Sequence, residues 1–373
     1  MPPVKGLVLA GGAGTRLRPI THTGAKQLVP VANKPILFYG LEDLAAAGVR
    51  EVGVIVGDTA DEIRAAVGDG SAFGLDVTYL PQDAPRGLAH CVLIARDYLG
   101  DDDFVMYLGD NLLRGGVAAC VTAFEAERQA ARNPRLGDHD SRPPAAQVLL
   151  ARVPDPQRFG VAVLDDRGEV VGLVEKPEVP PSDLALVGVY LFDVHIHEAV
   201  RAIKPSARGE LEITEAIQWL IDAGLRVTHQ VLEGWWKDTG KLEPLLEGNR
   251  LVLESIESWS AGSVDDASTV EGRVQIGEGA EIKNSVVRGP AVIGANTRVV
   301  DSYVGPFTSI DHDCEIVGSE IEHSIVLADC RISGVSRLAD SLVGRAVTIT
   351  SSDRRPSATR LMLGDHSRVD LPR

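Results

Sequence analysis

Branched apolar residues recur every six positions between residues 264 and 349 of this 373-residue chain. A β-strand has a side-chain period of two and an α-helix one of 3.6, so neither explains this spacing. A hexapeptide β-helix does, because each flat face of its prism places one apolar side chain inside the core. The series is Val264, Val270, Ile276, Ile282, Val287, Ile293, Val299, Val304, Ile310, Ile316, Ile321, Val326, Ile332, Leu338, Val343 and Ile349, with some steps of five. It predicts a left-handed parallel β-helix of hexapeptide repeats with about four to five coils, in a domain that spans 256–373.

The first 255 residues follow a different pattern, in which short apolar runs alternate with amphipathic stretches. The runs at 6–10, 51–56 and 104–108 are apolar on both faces, as buried parallel strands are. Between them, apolar residues return at helical spacing. This alternation predicts an α/β domain over 1–255 with a Rossmann-like, mostly parallel sheet. The stretch 133–145 has no period and is predicted to form a surface loop.

Charge and composition exclude several classes of function. The chain has 37 Lys and Arg against 53 Asp and Glu, a formal charge of −16. Such a surface repels phosphate backbones, so we expect neither nucleic-acid binding nor attachment to an acidic membrane surface. The four cysteines are far apart and form no C-x-x-C pair, which favours a reduced cytoplasmic protein without structural zinc. No stretch approaches the roughly 18 apolar residues of a membrane span.

The acidic total hides a basic N-terminal region. Residues 1–41 contain no Asp or Glu but include Lys5, Arg16, Arg18, Lys26 and Lys34. This local excess of positive charge fits an anion site, although solvated lysines brought together by chance explain it equally well.

A glycine turn lies within this basic region, directly after the first apolar run. The sequence from Gly11 to Arg16 is G-G-A-G-T-R, and Lys26 follows ten residues later. Glycines let backbone N–H groups approach phosphate oxygens closely, and two cations beside the turn suit a polyphosphate. The spacing matches neither the dinucleotide-binding glycine motif nor the P-loop.

With further motifs the turn resembles the signature of a known enzyme family. The run G-G-A-G-T-R-L-R-P-I-T at 11–21 is followed by K-Q-L-V-P-V at 26–31 and K-P-I-L-F-Y at 34–39. Further along come L-P-Q at 80–82, G-L-A at 87–89, L-G-D-N at 108–111, F-G-V at 159–161, V-E-K-P at 174–177, R-G-E-L-E-I-T at 208–214 and W-K-D-T-G at 236–240. In this order the motifs resemble the sugar-1-phosphate nucleotidylyltransferases. The combination with a β-helix is most similar to the long form of the glucose-1-phosphate thymidylyltransferases.

The resemblance implies an activity: dTTP and glucose 1-phosphate give dTDP-glucose and pyrophosphate, with Mg²⁺ as cofactor. In such a reaction a sugar-phosphate oxygen attacks the α-phosphorus in line, which requires neutralised charge rather than a nucleophilic side chain. The catalytic residues implied are Arg16, Lys26, Asp110 and Lys176. Asp110 and Asp238 are implied as metal ligands. Taken alone, each aspartate is explained equally well as a turn residue.

The resemblance also implies two groups of binding residues. The nucleotide is assigned to Leu9, Gly11, Gly12, Gly14, Thr15, Gln82 and Gly87. The sugar phosphate is assigned to Asn111, Gly160, Glu175 and Lys176. Without the resemblance, Glu175 and Lys176 are an ion-paired surface turn.

Several alternatives stay open on the sequence. UTP in place of dTTP, or another sugar 1-phosphate, changes the substrate but not the class of reaction. A catalytically silent regulatory subunit and a bifunctional enzyme whose β-helix transfers an acyl group are the other candidates. We interpret the β-helix as a structural or assembly module and expect a homo-oligomer.

Overall fold

The computed structural model describes residues 4–12, 14, 17, 18, 20–22, 24–132, 142–351, 367 and 369. The chain divides into two compact units. The first comprises Met1–Ala13 and Leu37–Trp236, and the second comprises Gly14–Ile36 and Lys237–Arg373. The segment after the glycine turn is thus grouped with the C-terminal part of the chain. Most of the predicted loop at 133–145 lies outside the described residues.

Helices and strands alternate as far as residue 253. The helices are α1 Ile36–Ala46, α2 Ala60–Val67, α3 Leu88–Ile94, α4 Arg96–Leu99, α5 Ala118–Arg132, α6 Ile196–Ala202, α7 Ile213–Asp222 and α8 Leu242–Leu253. The strands are β1 Lys5–Leu9, β2 Pro30–Val31, β3 Lys34–Pro35, β4 Glu51–Val56, β5 Asp76–Pro81, β6 Phe104–Leu108, β7 Asn111–Leu113, β8 Ala146–Arg152, β9 Gly160–Leu164, β10 Val170–Glu175, β11 Leu184–Phe192, β12 Val227–Val231 and β13 Trp236–Asp238. Among the described ranges, no helix is long and apolar enough to cross a membrane.

The first unit is built on a nine-stranded sheet. Its main order is β10-β9-β11-β6-β1-β4-β5, and β8 joins β11 to β12. Strands β6, β1, β4 and β5 are parallel to one another, while β11 is antiparallel to β6, β8 and β9. The predicted α/β sheet is confirmed, with a parallel centre and an antiparallel flank.

Burial explains why the three apolar runs form the centre of this sheet. Leu7, Val54 and Met106, one from each of β1, β4 and β6, are completely inaccessible to solvent. Strands covered on both faces by other elements need apolar residues at successive positions, which is the pattern of these runs. The parallel strands β1, β6 and β5 end at one edge of the sheet. This edge therefore carries Gly11, Asp110 and Gln82, which follow those strands. Ligands of open α/β sheets bind at that edge.

The second unit contains the β-helix, which confirms the prediction from the six-residue period. Its strands are β14 Trp259–Ser260, β15 Ser263–Val264, β16 Thr269–Glu271, β17 Val274–Ile276, β18 Glu281–Lys283, β19 Val286–Arg288, β20 Ala291–Ile293, β21 Arg298–Val300, β22 Tyr303–Val304, β23 Thr308–Ile310, β24 Glu315–Val317, β25 Glu320–Glu322, β26 Ile325–Val326, β27 Arg331–Ser333, β28 Leu338–Ala339, β29 Leu342–Val343 and β30 Thr348–Thr350. They stack in parallel as sheets of six, six and five strands, an arrangement consistent with a left-handed β-helix.

The number of coils exceeds the four to five that we predicted, since two of the sheets have six strands. One reason is that the first coil begins at β14, whose Trp259 is 50% exposed and gives no buried-residue signal. Another is that equivalent positions, such as Ser285 and Ser302, are 17 residues apart, so the steps of five shorten each turn. From Ile276 onward the apolar series forms the core of the prism, whereas Val264 and Val270 of the first coil are exposed, contrary to the prediction.

Candidate functional site

The glycine turn lies directly beside the residue predicted to read the nucleotide base. Leu9 ends β1, and its carbonyl accepts the backbone N–H of Gly109 at 3.0 Å. A Cβ atom added to Gly11 would lie 3.1 Å from Oε1 of Gln82, so the absence of a side chain permits this approach. Gly12 follows, half-buried. The structure therefore brings together three residues predicted for the nucleotide, Leu9, Gly11 and Gln82.

The rest of the signature belongs to the second unit. Gly14 has a φ of 63°, and a Cβ atom there would lie 2.9 Å from Cβ of Lys26. The hydroxyl of Thr21 donates to the Gly14 carbonyl at 2.6 Å. Lys26 begins a short 3-10 turn, Lys26–Leu28, and is half-buried. Thr15 and Arg16 lie outside the described residues.

Gln82 has a partner that the sequence reasoning missed. Its Nε2 lies 3.1 Å from Nδ1 of His90, which lies in α3 immediately after the G-L-A motif. Gly87 precedes α3 with a φ of 100°, and a Cβ atom there would overlap the backbone of Leu211. The backbone N–H of Ala89 donates to the Leu211 carbonyl at 3.1 Å. Close packing against residue 211 thus requires glycine at position 87, and its nucleotide contact stays a prediction.

A second cluster forms around Glu175 at the end of β10. Oε2 of Glu175 accepts the hydroxyl of Thr214 at 3.1 Å, and Oε1 accepts Nη2 of Arg208 at 3.1 Å. Nζ of Lys176 lies 3.1 Å from the same Oε1. A Cβ atom on Gly160 would lie 2.6 Å from Cγ2 of Thr214 and 3.3 Å from Oε2 of Glu175. Three residues predicted for the sugar phosphate are therefore neighbours, and Arg208 and Thr214 join them.

Arg208 links this cluster to a buried carboxylate. Oε1 of Glu212 accepts Nη2 of Arg208 and the hydroxyl of Ser206, both at 2.7 Å. Burial, together with the charges of Glu212 and Glu175, raises the pKa of Glu215. The sequence signal for these residues was the R-G-E-L-E-I-T motif, but their hydrogen bonds to Glu175 appear only in the folded chain.

Asn111, at the start of β7, is 2% exposed, and its amide is held within the protein. Its Nδ2 donates to Oδ1 of Asp110 and to the Leu108 carbonyl, each at 3.4 Å. Its Oδ1 accepts Nε1 of Trp236 at 2.5 Å, and the Trp236 ring packs edge-on to Phe159 with centroids 4.9 Å apart. Asn111 therefore orients an aromatic pair beside Gly160, and its predicted contact with the sugar phosphate stays a prediction.

The two predicted metal ligands belong to different units. Asp110 follows β6 in the first unit and is half-buried. Oδ1 of Asp238, in the second unit, accepts the backbone N–H of Gly240 at 3.0 Å, which is the turn interaction considered as its alternative role. Among the described residues, no group of three or more His, Cys, Asp or Glu side chains could hold a metal ion. Mg²⁺ commonly takes one or two carboxylates and completes its shell with water and substrate phosphates, so carboxylate oxygens at these positions fit it.

Comparison with known proteins shows the family of the chain. The nucleotidyl transferase family matches residues 5–255, which covers more than half of the chain. The chain belongs to this family. The resemblance found in the sequence motifs is thereby confirmed, and the glycine turn and the Glu175 cluster both lie inside the matched region.

Curated relatives extend the similarity of this nucleotidyl transferase over both units. A glucose-1-phosphate thymidylyltransferase of Streptomyces griseus is 61% identical over 368 residues, and one of Streptomyces antibioticus is 59% identical over the same length. Each alignment covers 99% of both chains. A low-salt glycan biosynthesis nucleotidyltransferase of Haloferax volcanii is 47% identical and covers 99% of this chain and 100% of its own length. The β-helix is thus within the shared length.

Solved structures support the fold of about two thirds of the chain. A putative glucose-1-phosphate thymidylyltransferase from Bacillus anthracis, in complex with a sucrose, has a TM-score of 0.60 at 33% identity. It covers 69% of this chain and 98% of its own. A UDP-glucose pyrophosphorylase complexed with UDP-glucose has a TM-score of 0.58 at 22% identity, which shows a shared fold only.

Proposed function

We propose that this nucleotidyl transferase transfers a thymidylyl group from dTTP to glucose 1-phosphate. The observation that carries the proposal is the full-length similarity, at 61% and 59% identity, to two glucose-1-phosphate thymidylyltransferases. A phosphate oxygen of the sugar attacks the α-phosphorus of dTTP and forms the new P–O bond. The bond between the α-phosphorus and the bridging oxygen breaks, and pyrophosphate leaves with the electron pair. The products are dTDP-glucose and pyrophosphate.

The nucleotide binds at the glycine turn. Its contacts are assigned to Leu9, Gly11, Gly12, Gly14, Thr15, Gln82 and Gly87. Gln82 offers both a donor and an acceptor to a pyrimidine edge, and its position against Gly11 supports this role. The contact with His90 restricts the orientation of the Gln82 amide.

Positive charge and carboxylates act on the phosphates. Arg16 and Lys26 bind the phosphates that leave as pyrophosphate, where a charged guanidinium and an ammonium stabilise the growing negative charge. Asp110 and Asp238 would hold Mg²⁺, which would supply Lewis-acid polarisation of the α-phosphate.

The sugar phosphate binds at the Glu175 cluster. Lys176 contacts the phosphate, and Glu175 accepts hydroxyls of the sugar. Gly160 leaves room beside the Glu175 carboxylate, which supports this role because a Cβ atom at residue 160 would crowd Thr214 and Glu175. Asn111 completes the pocket on the side of Asp110.

A substrate panel tests the proposal directly. Pyrophosphate release is measured with dTTP or UTP against glucose 1-phosphate and other sugar 1-phosphates, with and without acetyl-CoA. We expect the highest kcat/KM with dTTP and glucose 1-phosphate, and no effect of acetyl-CoA. Preference for UTP would contradict the assigned nucleotide, and a folded protein without turnover on any pair would indicate a silent regulatory subunit.

A further inference from the structure

The segment Gly14–Ile36 contains a two-stranded hairpin that shares its compact unit with the β-helix. Its strands are β2 and β3, and the two residues between them, Ala32 and Asn33, have φ angles of 48° and 61°. Two successive left-handed residues form the type I′ turn that suits two-residue hairpin loops. The backbone N–H of Ala32 and the side-chain amide of Asn33 both donate hydrogen bonds to residues outside the hairpin.

Asn249 of α8 joins this hairpin to the β-helix. Its Oδ1 accepts the backbone N–H of Ala32 at 2.8 Å and the hydroxyl of Ser309 at 2.7 Å. Its Nδ2 donates to the carbonyl of Phe307 at 3.1 Å. Asn249 is only 1% exposed, and Ser309 is completely buried. One buried amide thus connects three parts of the chain: the hairpin, α8 and the coil that contains β23.

One more hydrogen bond joins the same segment to the β-helix, and a second residue of the segment, Ile20, lies near the prism. Nδ2 of Asn33 donates to the carbonyl of Ile310 at 2.6 Å. Further along the prism, a Cβ atom added to Gly344 would lie 3.3 Å from Cδ1 of Ile20. Lys26 lies in sequence between Ile20 and Asn33, so the part of the chain that carries this lysine has a neighbour in the β-helix on both sides.

The β-helix does not need Asn249 for its own ladder. In this coil the backbone N–H of Ser309 donates to the Ser324 carbonyl at 2.9 Å, and the next coils continue the same pattern. A buried amide on one segment with partners in two others selects one arrangement of the three, because any other leaves polar groups unpaired. The bonds of Asn249 therefore fix the position of the hairpin rather than the existence of either element.

We propose that Asn249 is a positioning residue that acts through the hairpin to order the segment Gly14–Ile36, here called the phosphate-binding segment. The β-helix serves as the support for this segment. The inference rests on the proposed function, because that function assigns Lys26 and Arg16 to the nucleotide phosphates. It gives the β-helix a part in nucleotide binding in addition to a structural or assembly role.

Hydrogen–deuterium exchange of the full-length protein without substrate gives the first test. Asn249→Leu removes all three hydrogen bonds of the Asn249 amide while keeping a side chain of similar size. Asn33→Gly removes the hydrogen bond from Asn33 to the Ile310 carbonyl, and glycine tolerates the left-handed φ at this position. The control is Ser302→Ala, since Ser302 is also buried and its hydroxyl oxygen accepts the Ser319 N–H at 3.1 Å inside the ladder. We expect exchange of residues 26–35 to increase about tenfold in the two asparagine variants and to stay unchanged in Ser302→Ala.

Steady-state kinetics give the second test. We expect Asn249→Leu to raise KM for dTTP about fivefold or more, while KM for glucose 1-phosphate changes less than about twofold. Ser302→Ala, compared at equal folded fraction, leaves both KM values unchanged. Equal increases in both KM values, or the same change in the control, would show a general loss of stability and overturn the proposal.

The two tests separate this inference from the proposed function. If the wild-type protein released no pyrophosphate with dTTP, the proposed function would fail, and the exchange experiment would still measure the support of residues 26–35. Unchanged exchange of those residues in Asn249→Leu would overturn the positioning role even in a fully active enzyme.

Discussion

The hydroxyl of Thr214 provides a specific test of the sugar-binding cluster. It donates to Oε2 of Glu175 at 3.1 Å and is buried, with Thr214 only 2% exposed. Thr214→Val keeps the shape of the side chain and removes this donor. If Glu175 accepts sugar hydroxyls, its carboxylate must be held in one orientation. Loss of the Thr214 hydrogen bond to Oε2 would allow this carboxylate to rotate.

The expected magnitude follows from the remaining partners of Glu175. A hydrogen bond to a charged group contributes about 1.5–3 kcal/mol, and about 1.4 kcal/mol corresponds to a factor of ten. Arg208 and Lys176 still contact Oε1 in the variant, so the lower end of this range applies. We expect kcat/KM for glucose 1-phosphate to fall about tenfold, with KM for dTTP little changed.

Thr228→Val is the matched control. Thr228 is 8% exposed, and its hydroxyl donates to Oε1 of Gln147 at 3.4 Å in another part of the sheet. Initial rates are measured by pyrophosphate release at saturating dTTP, with thermal unfolding recorded for both variants. If Thr214→Val and Thr228→Val had the same kcat/KM for glucose 1-phosphate, the Thr214 bond would have no part in sugar binding.

Three further predictions concern other residues. Asp110→Asn and Asp238→Asn should each remove most turnover while the melting temperature stays close to wild type, and near-normal kcat at saturating Mg²⁺ in either variant would contradict the metal assignment. Arg16→Lys should cost about 2–4 kcal/mol in kcat/KM, because an ammonium cannot replace the planar fork; a loss of less than about threefold would place Arg16 outside the site. Burial and the charges of Arg96 and Arg201 lower the pKa of His197 from 6.5 to about 4. The unfolded state therefore binds a proton at higher pH than the folded state, and the free energy of unfolding falls as the pH drops from 6.5 to 4. His197→Phe, which can stack on Phe104, should lose up to about 3 kcal/mol less over that range in urea unfolding, and an unchanged pH dependence would contradict the shift.

The fold was predictable because it depends on local spacing. A period of six requires one buried residue on each face of a prism, and Ile276, Ile293 and Ile310 do stack in one sheet of the β-helix. The central strands were predictable for a similar reason, since burial on both faces leaves a continuous apolar run. Strand β14 was missed because both of its residues are exposed and it precedes the apolar series.

The candidate site was predictable only as far as its motifs reached. Gly11 and Gln82 are 71 positions apart in sequence, and their proximity follows from the parallel strands β1 and β5, which end at the same edge of the sheet. His90 has no motif of its own, so its contact with Gln82 could not be inferred. The Thr214 and Arg208 bonds to Glu175 depend on the packing of α7 beside β10, which no local pattern specifies.

The contacts that support the phosphate-binding segment are the clearest example of contacts that no sequence motif specifies. Ala32 and Asn249 are 217 residues apart, and neither the hairpin nor α8 has a sequence pattern that refers to the other. Judged from the sequence, every candidate catalytic residue precedes the β-helix, which favours a division into a catalytic domain and a structural one. The hydrogen bonds of Asn249 and Asn33 cross that division, because the Phe307 carbonyl of the β-helix accepts Nδ2 of Asn249 and the Ile310 carbonyl accepts Nδ2 of Asn33 in the hairpin. A domain boundary drawn where the sequence pattern changes therefore need not separate the residues that bind a substrate from those that hold them in place.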